Sequence, residues 1–180
     1  KKVLENTALL AGRQVHHSGW RVYRKDYLIK NGEVSGTLPK SLWTDKELNN
    51  DYGKKAIQRL LGASVMDFPK SPHFMRKLVQ LGTATEGIVL DFFSGSCAMA
   101  EAVVQQNMED GGRRRFIMVQ LPEPCPEGST ALNEGYATIA EVAKERIRKV
   151  LCEANASGEG MLDGGARTEA TIEAGFRVVK

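Results

Sequence analysis

The alternation of apolar and polar positions divides the chain into helical and strand-like stretches. Between 41 and 62, Leu48, Tyr52, Ala56, Ile57, Leu60 and Leu61 recur near helical spacing, and Gly62 supplies a stop. Ser71 before Pro72 predicts a second helix start, because serine caps and proline suits the first helical position. Phe74, Leu78 and Leu81 are its expected apolar face and Gly82 its end. Residues 88–93 form an unbroken β-favouring run, the pattern of a buried parallel strand, with Phe92 expected to point into the core. A helix from about 97 to 107 follows, with Ala98, Ala102 and Val103 for packing, then a turn at Asp110-Gly111-Gly112 and a second β run over 115–121. Strand, helix and strand within about 34 residues predict a βαβ unit with a parallel sheet and a right-handed crossover.

Beyond this unit, Pro122, Pro124 and Pro126 interrupt regular structure. Thr138 with Glu141 three residues on is a capping box, opening a helix whose stripe is Ile139, Val142, Ala143, Ile147, Val150 and Leu151. Residues 155–167, rich in Gly, Ser and Asp, are expected to be a loop, and 175–179 a last strand. Residues 1–40 have no clean period. They hold short β-type stretches at 20–23 and 27–29, and turn signals at Asn31-Gly32 and Ser35-Gly36; 30–33 reads as a hairpin turn. There is no internal repeat.

Composition narrows the class. The 180 residues suit one domain of ordinary size, and 42% hydrophobic with 26% charged residues excludes a mostly disordered, collagen-like or coiled-coil chain. No apolar run reaches the length of a membrane span, and the first residues lack the pattern of a signal peptide. Cys97, Cys125 and Cys152 are too few and scattered for a disulfide framework, so a reducing cytoplasm is the expected compartment. His16, His17 and His73 complete no metal-ligand spacing. Residues 1–40 carry eight Lys or Arg and three Asp or Glu, a net of +5, which leaves −2 for the remainder of a +3 chain. Trp20, Arg21, Tyr23, Arg24 and Lys25 interleave aromatic and basic groups in a way that suits DNA, although a solvated polar face is the plainer reading.

The chemistry concentrates at Asp91-Phe92-Phe93-Ser94-Gly95-Ser96. Ligands of doubly wound sheets bind beyond the carboxyl ends of strands, where small residues admit them to the backbone and a helix N-terminus offers free N–H groups. Asp91 at the strand end is placed to accept a hydrogen bond from a ligand amine or hydroxyl. The stretch is neither GxGxxG nor a P-loop, which weighs against a nicotinamide-dinucleotide domain of the same topology.

Several segments together resemble the cofactor half of β-class DNA amino-methyltransferases, above all the modification subunits of type III restriction–modification systems. Ser41-Leu42-Trp43-Thr44-Asp45 resembles the segment that precedes the cofactor motifs, and Phe68-Pro69-Lys70-Ser71-Pro72 the FPKP element. Asp91-Phe92-Phe93-Ser94-Gly95-Ser96-Cys97 resembles DFFAGSG. Asn107-Met108-Glu109-Asp110-Gly111-Gly112, with residues 114–123 after it, resembles N-EDGG-RRFILVQLPE, and 135–148 and 175–178 resemble C-terminal segments of the family. The likeness covers about residues 41–180, in the family's order.

The resemblance implies an α/β fold, a partial Rossmann-like methyltransferase core with a parallel-rich sheet over 41–180, and S-adenosylmethionine as cofactor. Residues 1–40 would be a remnant of a target-recognition or linker region. Asp91 would sit near the methionine amino group, and Phe93, Ser94, Gly95 and Ser96 would line the cofactor turn. Lys70, Ser71 and Pro72 would face the methionine end, Lys70 through a charge-assisted bond to the carboxylate. Gln120 or Glu123 would meet the ribose hydroxyls, and the residues leave that choice open. The implied activity is methyl transfer to adenine N6 in DNA, with DNA, a restriction subunit and a second copy as partners.

Two departures stand out. Cys97 occupies the family's second glycine, where a side chain is expected to crowd the cofactor; small apolar packing is its expected role ahead of a helix-activated thiol. No Pro-Pro pair occurs, so the Asp/Asn-Pro-Pro-Tyr/Phe loop that holds the flipped base is not in these residues and no catalytic residue is assigned. The expectation is a C-terminal fragment that is inactive alone; the rival reading is a degenerate methyltransferase-like DNA-binding or interaction module.

Overall fold

The structure, a computed structural model, describes residues 9–13, 20–24, 29–30, 33–34, 38–159 and 175–179. It divides into two compact units, Lys1–Leu42 and Trp43–Lys180. In the first, β1 (Leu9–Arg13) and β2 (Trp20–Arg24) pair antiparallel from Leu9 opposite Arg24 to Arg13 opposite Trp20. β3 (Ile29–Lys30) and β4 (Glu33–Val34) pair with Lys30 opposite Glu33. The expected hairpin turn at Asn31-Gly32 lies outside the described residues, as do Lys25, 27–28 and the Ser35-Gly36 turn.

The second unit opens with a single 3-10 turn (Lys46–Leu48) and helix α1 (Asn50–Leu61). Asn49 caps α1 by accepting the Tyr52 N–H at 3.1 Å, and the helix ends at Gly62 in the left-handed conformation. Ile57 and Leu60 are buried, as the helical spacing requires. Helix α2 (Pro72–Gly82) has proline at its first position. Its Ser71 hydroxyl does not cap; it donates to the Glu47 carbonyl and ties the helix to the 3-10 turn. The expected apolar face of α2 is also rotated. Leu78 and Leu81 are exposed and Phe74 is half-buried, edge-on to Trp43. Val79 is buried instead, because it packs on Ala102 and Val103 with Met75 beside it.

β5 (Ile88–Asp91), α3 (Ala98–Asp110) and β6 (Arg115–Met118) form the βαβ unit. The strands run parallel, Ile88 opposite Arg115 and Asp91 opposite Met118. β5 stops at Asp91 because its Oδ1 accepts the Phe93 N–H at 3.1 Å and turns the chain. Phe92 therefore lies outside the strand, 62% exposed, and not in the core as expected. The strands alternate between half-buried and exposed residues, correcting the expectation of strands buried on both faces. Val89, Phe116 and Met118 meet the helices, while Ile88, Leu90 and Ile117 face outward.

After a short helix α4 (Thr130–Asn133), α5 (Ile139–Glu159) closes the core. Its capping box is complete: Glu141 Oε2 accepts from the backbone N–H of Ala137 at 2.7 Å and of Thr138 at 3.3 Å, and Thr138 Oγ1 accepts from Glu141 N–H. The expected loop at 155–167 begins later, since α5 runs to Glu159; Ala154 extends its apolar stripe into the core. Residues 160–167 lie outside the described residues. Residues 175–179 form no strand among the described residues, correcting the expected last strand, and Phe176 lies partly buried on the core beneath the Arg148 guanidinium. Between the prolines, Cys125 N–H donates to the Ala137 carbonyl and Ile139 N–H to that of Glu123.

Two sequence features acquire structural reasons. A Cβ on Gly53 would stand 2.1 Å from the Pro69 carbonyl oxygen, so α1 can lie against the 68–72 segment only through glycine. The Asn107-to-Arg115 stretch is a clamp. Asn107 brackets the Arg114 backbone, donating to its carbonyl at 2.9 Å and accepting its N–H at 3.1 Å. The buried Arg114 guanidinium meets the Asp110 carboxylate at 2.9 Å, while Arg113 and Arg115 are exposed. Hydrogen bonds from Arg114 and Gln106 hold the Asp110 carboxyl down to about 2.

Two outcomes follow from these contacts. Gly53→Ala is expected to destabilise the chain by about 1–3 kcal/mol in urea unfolding, reversing the usual gain of alanine in a helix. A depressed carboxyl favours the fold above its unfolded pKa and loses that contribution as pH falls through its folded one. Asp110→Asn should therefore flatten the loss of thermal stability between about pH 4 and about pH 2.

Candidate cofactor-binding site

The carboxyl ends of β5 and β6 meet at the turn that leads into α3. Val119 N–H donates to the Asp91 carbonyl at 2.8 Å, continuing the ladder one residue past β6. Ser94 returns to the same place, its N–H and its hydroxyl both donating to the Val119 carbonyl at 3.1 Å. Gly95 N–H donates to Gln120 Oε1 at 2.7 Å, and Cys97 N–H to the Ser94 carbonyl at 2.7 Å. The turn is thus stitched to the chain leaving β6. Gly95 has φ +51° and a Cβ there would meet nothing within 4 Å, so the outer side of the turn is open to a ligand. Beside it the Phe92 and Phe93 rings lie 5.1 Å apart, with Phe93 85% exposed.

Cys97 adopts φ 58° and ψ 38°, a left-handed conformation that costs an L-residue about 1–2 kcal/mol. Its side chain does not crowd the open side, contrary to expectation. It is 2% exposed and packs inward with Leu60, Ala100 and Val104. Burial pushes the thiol pKa up; the weaker pulls of Ser94 and Arg146 act downward. Cys97 is thus the packing residue expected from the sequence rather than a helix-activated thiol. Cys125 is buried with a raised pKa as well, and Cys152 is exposed. A thiol reagent should titrate one cysteine quickly in the folded chain and all three after unfolding, with Cys152→Ser removing the fast phase.

Asp91, Phe93, Ser94, Gly95, Ser96 and Gln120 are gathered at this turn. Lys70, Ser71 and Pro72 belong to a separate segment at the start of α2. There Pro69, Ser71 and Pro72 are buried, while Lys70 is exposed and Phe68 meets the Lys54 ammonium at 5.5 Å. Helix α1 joins the two places: Gly53 abuts Pro69 and Lys70, and Leu60 packs with Cys97. Seven residues of helix separate these contacts by about 10 Å. Glu123 is exposed, three residues beyond Gln120.

Sequence reasoning missed a buried ion pair under the turn. Arg146 on α5 is fully buried, and its Nε donates to Glu101 Oε2 at 2.8 Å. Nη2 lies 2.7 Å from the same oxygen as an ion-pair contact without hydrogen-bond alignment. Nη1 donates to Ser96 Oγ at 2.7 Å. The available signal was spacing, since Arg146 stands four residues after Val142 on the apolar stripe and Glu101 lies amid alanines and valines.

No family model matches the chain. The type III restriction–modification enzyme EcoPI Mod subunit of Escherichia phage P1 is 34% identical over 155 residues, 86% of this chain and 24% of that protein. The StyLTI Mod subunit of Salmonella typhimurium is 38% identical over 145 residues, covering 73% and 22%. The type II methyltransferase M.KpnI of Klebsiella pneumoniae is 26% identical over 129 residues, covering 72% and 30%. The chain is thus related to methyltransferases of restriction–modification systems. Within these it belongs with the type III Mod subunits, of which it corresponds to a segment. It spans between 18% and 30% of the length of the curated relatives it matches.

Proposed function

We propose that this chain forms the S-adenosylmethionine site of a type III Mod methyltransferase that modifies adenine N6 in DNA. The observation that carries the reading is the open turn at Gly95, beyond the ends of two parallel strands and within a segment homologous to Mod subunits. The bound cofactor supplies an activated methyl group. Lys70, exposed at the start of α2, holds the methionine carboxylate by charge, with Ser71 and Pro72 setting the backbone that presents it. Asp91 receives the amino group. Phe93, exposed beside the turn, offers a ring face to the adenine, and Ser94, Gly95 and Ser96 shape the turn. Gln120 already holds Gly95 through its amide oxygen, so we assign the ribose diol to Glu123, whose carboxylate suits two hydroxyl donors.

The 180 residues contain no Asp-Pro-Pro-Tyr-type loop, so we assign the groups that hold the target base to residues outside these 180, in the intact enzyme or on another chain. DNA, a restriction subunit and a second Mod copy are its proposed partners, in the cytoplasm. Among the described residues no helix is long and apolar enough to cross a membrane.

At a hundred times Kd, S-adenosylmethionine should stabilise the chain by about 2.7 kcal/mol, a rise in Tm of roughly 5–10 °C. Lys70→Ala and Glu123→Ala should each weaken binding about tenfold in calorimetry, the loss of one charged hydrogen bond. No shift with the parent chain at millimolar cofactor would overturn the reading.

A further inference from the structure

Among the described residues, Arg146 and Glu101 form the most deeply buried ion pair, with side chains 0% and 1% exposed. Burying an ion pair contributes little net stability, and well-packed hydrophobic residues often replace one without loss. What such a pair supplies, and an apolar pair cannot, is direction. Here the direction is toward the turn. Arg146 Nη1 reaches both the hydroxyl of Ser96 at 2.7 Å and its carbonyl at 3.4 Å. Ser96 is 4% exposed and lies between two residues in left-handed conformations, Gly95 and Cys97. Glu101 is held on its other side, its Oε1 accepting from Gln105 at 2.9 Å and facing Arg59 Nη2 at 3.8 Å. The guanidinium is therefore fixed from behind before it grips the turn.

We propose that Arg146, backed by Glu101, is a positioning residue that holds the Ser94–Cys97 turn in the shape that receives the methyl donor. The proposal rests on the cofactor reading above, since it assigns these residues to that site. Gln120 secures the turn from the strand side at Gly95, and Arg146 secures it from the core side at Ser96. Cys97, next along the chain, keeps a conformation unfavourable to a side chain because both its neighbours are fixed: Ser96 by Arg146, and Ala98 as the first residue of α3.

The test separates order in the turn from overall stability. Arg146→Met with Glu101→Leu removes the pair without leaving a lone buried charge, and Ser96→Ala removes only the gripped hydroxyl. Each variant is compared with the parent chain by urea unfolding, by amide hydrogen exchange without ligand and by calorimetry with S-adenosylmethionine. Both variants are expected to unfold close to the parent's midpoint. Both should exchange the Gly95–Cys97 amides at least tenfold faster, with β6 and α5 amides unchanged, and bind cofactor at least tenfold more weakly. Arg146→Lys, which keeps the charge but not the fork, should not restore affinity. Variants that fold with parental exchange at the turn and parental affinity would overturn the proposal. If the double variant does not fold, Ser96→Ala decides it on the same two readings. A parent chain that fails to bind the cofactor would overturn the cofactor reading, and the exchange comparison would still decide whether Arg146 orders the turn.

Discussion

Parallel strands cannot be joined by a tight turn, so everything in the second unit depends on how closely α3 can lie beside the pair it connects. The helix meets this constraint with small side chains. Ala98, Ala100 and Ala102 are buried together with Val103 and Val104, and α2, α5 and β6 all press on it. A helix buried on most of its sides has no strong apolar stripe to be read from sequence. The same crowding places Glu101 and Gln106 inside, where each finds a partner: Arg146 for the first, Gln80 and Asp110 for the second. The Ser94–Cys97 turn is the front end of this helix, so its geometry is inherited from the packing behind it.

The elements that could be read from sequence were those whose signals are local. Gly62, Pro72 and the Thr138–Glu141 box mark helix boundaries through backbone chemistry that acts within a few residues, and all three appear where that chemistry puts them. The βαβ unit was legible because two apolar runs flanked a helix of suitable length. What was not legible depended on tertiary contacts. The buried face of α2 turned to Val79 because α3 lies there, and Phe92 left the strand because the Asp91 side chain captured the next amide. The end of α5 runs to Glu159, past the expected start of the loop at 155.

At the site, the motif letters located the turn but not the division of labour within it. Gln120 and Glu123 read alike in the sequence, whereas in the structure Gln120 holds Gly95 and Glu123 is exposed. Ser71, read as facing a ligand, is buried with its hydroxyl on the Glu47 carbonyl. The Asn107–Arg114 stretch is as motif-like as the turn itself, yet its contacts only secure the exit of α3 into β6. A strong sequence pattern can therefore mark a joint as readily as a binding surface.

The buried pair also bears on how this sequence can change over time. Loss of either partner alone leaves an uncompensated charge inside the protein, at a cost of about 3–5 kcal/mol, a large share of the stability of an ordinary domain. Joint replacement by apolar residues avoids most of that cost. Positions 101 and 146, 45 residues apart in the chain, are therefore separated from their alternatives by an unfit intermediate. Related sequences should keep both residues or exchange both, so that the two positions drift as one hereditary unit.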